Sequence, residues 1–157
     1  MFEFLKKVVN PVSDDSGKTG ENKFQLQVSV CILLVDIAKI DGDFSSEEKK
    51  KILSILQNDF DVDEQNIDGM IAKAEDFLKK EDSIYDFTQV INKNLDNDDK
   101  YELLKNLWRL VYADHNKDIY EEHLVKKIAG LLDLDNRDVI AARLAVKDES
   151  KIDGGML

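Results

Sequence analysis

The stretch between Leu26 and Ile37 limits the fold more than any other part of this sequence. Leu26, Val30, Leu33, Leu34 and Ile37 recur at the spacing of one helical face, and Val28, Ile32 and Val35 fill in the remaining sides. A helix without a polar face has to be surrounded by other elements. The near-apolar run from Val28 to Val35 ends at Asp36, far short of the ~20 residues that cross a bilayer. The covering elements must therefore come from the chain itself.

They are supplied by amphipathic segments downstream. Helical spacing predicts a helix over about 46–58 with Ile52, Ile55 and Leu56 inward, and another over 64–80 with Ile67, Met70, Ile71, Ala74, Phe77 and Leu78. A third, over 84–94, presents Ile84, Phe87, Val90 and Ile91. The segment 97–113 presents Leu104, Leu107, Trp108 and Val111 and is a second central candidate. Residues 119–132 (Leu124, Val125, Ile128, Leu131, Leu132) and 136–147 (Val139, Ile140, Ala142, Val146) complete the set. Ser45, Asp63, Asp96, Asp118 and Asp135 stand where an acceptor side chain caps the free N–H groups of a helix start. No segment alternates as a strand does. The expectation is an all-α single domain of seven helices.

Its boundaries follow from composition. Residues 1–22 hold a short amphipathic segment, 1–9, and a linker, 10–22, rich in Pro, Gly, Ser and Asp. The helical domain is expected over 23–147, and the tail 148–157 is expected to fray. The first residues have neither the basic leader nor the apolar stretch of a secretory signal, which predicts a cytoplasmic protein. Membrane contact is open only to residues 1–9, where two lysines make a weak anchor. With 33 acidic against 22 basic residues, the field of the protein attracts cations and opposes nucleic acid as a partner.

An internal repeat carries most of the acidic chemistry. Residues 37–48 (IAKIDGDFSSEE) match 110–121 (LVYADHNKDIYE), with Asp41 to Asp114 and Glu48 to Glu121 both 73 residues apart. The register continues through Leu34 with Leu107, Ile52 with Val125, and Ile55 with Ile128. This is a duplicated helix–loop–helix, with an Asp at one helix end and a Glu in the next helix's first turn. If the copies pack about a pseudo-twofold axis, Asp41, Glu48, Asp114 and Glu121 form one shared site.

Two readings of these carboxylates stand side by side. Oxygen-rich loops suit a hard cation, Ca²⁺ or Mg²⁺. The loops open like an EF-hand but do not complete one: Ser46 and Ile119 replace the glycine at the sixth position, and Ile52 and Val125 replace the bidentate Glu at the twelfth. The other reading is local, because Ser45-x-x-Glu48 and Asp118-x-x-Glu121 fit a capping box or its acidic variant.

Further constellations carry less. His115 and His123 lack the companions of a zinc site. Cys31 reads as a buried small apolar residue and Trp108 as core. The motifs of nucleophile elbows, phosphate loops, dinucleotide turns and zinc proteases do not occur, so no enzymatic activity is expected.

The residues as a set resemble the TerB-like tellurite-resistance family. The resemblance rests on residues 87–92 (FTQVIN), 107–114 (LWRLVYAD), 120–124 (YEEHL), 129–132 (AGLL) and 139–143 (VIAAR), with Asp41-Gly42 and Glu48 as a first acidic motif, and covers about 24–147. It implies an all-helical fold, links to tellurite resistance and stress response, and paired acidic motifs proposed to bind metal. Those motifs fall on Asp41 and Glu48, then Asp114 and Glu121. Similar domains accompany co-chaperones and membrane-associated complexes, so the resemblance implies a protein partner. The functional expectation is a non-catalytic module that binds a divalent cation or a protein partner; the alternative is a membrane-visiting, co-chaperone-like adaptor with purely structural carboxylates. His115 stands where the first copy has Gly42, which removes the residue best suited to positive φ.

Overall fold

The computed structural model describes residues 17–40, 44–80, 83–113 and 119–155. Seven helices and no strand occur among them: α1 Gly17–Lys39, α2 Ser46–Phe60, α3 Glu64–Lys80, α4 Tyr85–Asn94, α5 Asn97–Ala113, α6 Ile119–Leu131 and α7 Asn136–Gly155. The expected all-α architecture is the one observed. Several starts have the predicted caps: Asp96 Oδ1 accepts from the Asp99 N–H at 2.8 Å, and Asp135 and Asp138 cap each other at 3.0 and 3.1 Å. Asp118 lies outside the described residues.

α1 runs through the middle. Val28 and every residue from Val30 to Val35 are buried, and the helix packs against α2, α3, α4, α5 and α6. Cys31 is fully enclosed, and burial pushes its thiol up to about 12. Cys31 is therefore expected to resist a thiol reagent in the native protein and to react only as fast as the fold opens. Labelling that is rapid without denaturant would contradict this packing.

The packing pattern has an internal symmetry. Exchanging α1–α2–α3 with α5–α6–α7 maps the contacts among these six helices onto one another: α1 on α3 becomes α5 on α7, and α1 on α6 becomes α2 on α5, while α4, packed on α1 and α6, stands outside the repeat. The duplication therefore covers three helices in each copy, one more than the constant spacing of 73 reveals. Asp61 and Asp133, the left-handed residues that end α2 and α6 at φ 58° and 62°, are 72 apart. In that shifted register Ile67, Met70 and Ala74 match Val139, Ala142 and Val146, and all six are buried.

Three expectations need correction. Ile140 was expected in the core, yet it is 51% exposed, as is neighbouring Leu144 at 55%. α7 meets α5 and α6 through Val139, Ala142 and Val146, and Ile140 points away from that stripe with no further helix beyond it among the described residues. α1 begins at Gly17, inside the stretch read as linker. Once the buried part of a helix is nucleated, each added residue gains a hydrogen bond without a new nucleus, and this carries α1 back through Gly20 although glycine is a poor helix former. α7 continues to Gly155 rather than ending near 147, and Arg109 Nε donates to Glu149 Oε2 at 3.0 Å, tying the later turns to α5.

Candidate functional site

The chain from Phe44 into α2 shows how the first acidic motif is built. Ser45 is extended at φ −73°, ψ 161°, and its Oγ accepts from the Glu48 N–H at 3.1 Å. Glu48 reaches back, its Oε1 accepting from the Ser45 N–H and hydroxyl, both at 3.0 Å. This is a complete capping box. Unusually for such a glutamate, Glu48 is 0% exposed.

Glu121, its counterpart in the first turn of α6, is also 0% exposed. Both side chains are engaged rather than free. A buried carboxylate is expensive without compensation, and a helix N-terminus supplies part of it through its unpaired N–H groups and positive dipole end. Asp41 and Asp114 lie outside the described residues, and so does His115. Among the described residues no three His, Cys, Asp or Glu side chains gather as a metal-binding group. His123 is exposed.

In each copy a side-chain link ties the end of the first helix to the third helix. In the first copy Lys39, in the last turn of α1, pairs with Glu75 of α3 at 3.2 Å. In the second, Tyr112 near the end of α5 accepts from Arg143 Nε of α7 at 2.8 Å. Arg143 also donates to Glu122 of α6 at 3.0 Å, and its guanidinium lies 5.4 Å from the centre of the Trp108 ring. Trp108 is 1% exposed, a core residue as its spacing predicts.

One charged residue near these loops escaped the sequence reading. Asp36 sits at the end of the apolar stretch of α1, and burial pushes its carboxyl up to about 6 against the lowering pull of Lys127 on α6. The signal was present as the single carboxylate that ends the apolar run, but periodicity alone treats it as a boundary.

The sequence model of the family described as tellurite resistance protein TerB matches residues 27–144, about three-quarters of the chain. The chain belongs to the TerB family. Neither the curated proteins nor the solved structures gave a significant match. The TerB match covers both acidic helix starts and all of α2 to α6. No helix among the described residues is long and apolar enough to cross a membrane.

Proposed function

We propose that this TerB chain is a non-catalytic binding module that takes a hard divalent cation, Ca²⁺ or Mg²⁺, where its acidic helix starts meet their loops. The observation that carries this reading is the complete burial of Glu48 and Glu121 at equivalent positions of a duplicated unit. Carboxylate oxygens are the donors such cations prefer, and Asp41 and Asp114 would add further oxygens from the loops. A bound cation would join the two copies and add to the compensation that the helix ends give these carboxylates. The acidic surface around it would then meet a protein partner.

Melting of the purified protein tests this against a monovalent salt of equal ionic strength. Cation at 100 times its dissociation constant should stabilise the fold by ~2.7 kcal/mol. For a domain of this size the melting temperature then rises by roughly 5–10 °C. Glu48→Gln with Glu121→Gln should abolish that rise. Asp41→Asn with Asp114→Asn, which leaves the buried positions untouched, should abolish it too. A parent protein indifferent to both cations at millimolar concentration leaves the carboxylates with capping alone.

A further inference from the structure

A groove on the other side of the fold is suited to a segment of the chain itself. It encloses about 700 Å³ between the first part of α1, the end of α2 and the outer face of α5. Its apolar surface comes from Leu26, Phe60, Leu95 and Leu103, the first three of which remain partly open. The two basic residues in its wall are already occupied. Lys23 pairs with Asp61 at 2.8 Å, and Arg109 is held by Glu149.

What remains along the rim is acidic. Asp99 and Glu102 line the groove on α5; Glu102 pairs with Lys105 at 2.9 Å one turn along the helix, a surface pair whose carboxylate can be shared with a second cation at little cost, and the charge of Asp96 above all, with Asp98 and Glu102 adding to it, pushes the Asp99 carboxyl up. Carboxylates crowded in this way favour a cationic neighbour. An occupant should therefore carry large apolar side chains together with lysine or arginine.

We propose that residues 2–9 of this chain fill the groove, Phe2, Phe4, Leu5 and Val8 meeting its apolar surface and Lys6 and Lys7 meeting Asp99 and Glu102. The segment has the required composition, with two lysines against the single acid Glu3. It also has the reach. α1 starts at Gly17, and Lys23, Leu26 and Gln27 in the same helix line the groove, about 9–15 Å along its axis at 1.5 Å per residue. Residues 10–16 span up to ~25 Å when extended, enough for the chain to turn back along α1.

Amide NMR of the full chain tests the proposal with substitutions outside the helical fold. Phe2→Ala with Phe4→Ala should shift the resonances of Leu26, Phe60, Leu95 and Leu103 and leave those of Val125 and Val139 in place. Lys6→Glu with Lys7→Glu should shift the same set, and adding Asp99→Lys with Glu102→Lys should restore it. Groove resonances that ignore the phenylalanines overturn the proposal. Shifts that vanish on dilution assign the groove to the segment of a second copy and overturn it as well. Binding to phosphatidylserine vesicles that the lysine changes abolish, with the groove resonances unmoved, gives the segment to a lipid surface instead.

Discussion

Replacing Trp108 with alanine is expected to cost about 3–5 kcal/mol, the range for truncating a large buried aromatic, and to lower the melting temperature by roughly 6–20 °C. The indole is 1% exposed and stacks on Tyr112 at 6.0 Å between centroids, while Arg143 covers it from α7. Its removal leaves a cavity and also loosens the surface on which Arg143 is held between Tyr112 and Glu122. Trp108→Phe separates these effects. Phenylalanine keeps an aromatic face for Tyr112 and Arg143, and it discards an indole N–H that finds no acceptor among the described residues. It should recover more than half of the loss. An alanine variant that melts within 2 °C of the parent would show that Trp108 does not hold α5, α6 and α7 together.

Asp36→Asn should act in the opposite direction and depend on pH. The folded Asp36 carboxyl, at about 6, holds its proton more tightly than the unfolded one, whose ordinary value is 3.8. Between those values the folded state binds more protons, so the stability contributed at this site falls as pH rises and stays low above about 6. Asparagine keeps the shape without the charge. The variant should therefore gain up to about 3 kcal/mol over the parent at pH 7, a rise of up to roughly 6–12 °C, and the gain should shrink toward pH 4. Glu149, held below the usual range by its hydrogen bond to Arg109, changes in the opposite sense in both proteins and cancels from the comparison. Lys127→Met should widen the gap between parent and variant, because Lys127 is what offsets the burial of Asp36. A gain that does not vary between pH 4 and 7 would place the Asp36 carboxyl at its ordinary value.

The features that sequence exposes here are those decided within a few residues. Ser45 with Glu48, and Asp135 with Asp138, act across one helical turn, so their spacing suffices to recognise them. The central position of α1 is equally plain because its stretch from Val28 to Val35 has no polar side. Two things escaped for physical reasons. The third helix of each copy is hidden because the later copy reaches its left-handed cap one residue sooner, which moves every following match off the constant spacing. The burial of Glu48 depends on packing from distant parts of the chain, so its spacing identifies a cap and says nothing of depth. The groove, too, is assembled from separate elements, and no local pattern announces it.

The symmetric packing has a consequence for how the chain is made. α1 belongs to the first copy by connection, but much of its cover, from α4, α5 and α6, is contributed later in the chain. While the ribosome has released only the first three helices, the sides of Val28 to Val35 that those later helices will enclose face water. The first half therefore cannot complete a core before residues 85–131 emerge, although each copy looks like a self-contained three-helix unit. Duplication in this protein has produced two halves that must wait for each other, and a ribosomal pause between them would hold its most apolar helix open to whatever else is in the cell.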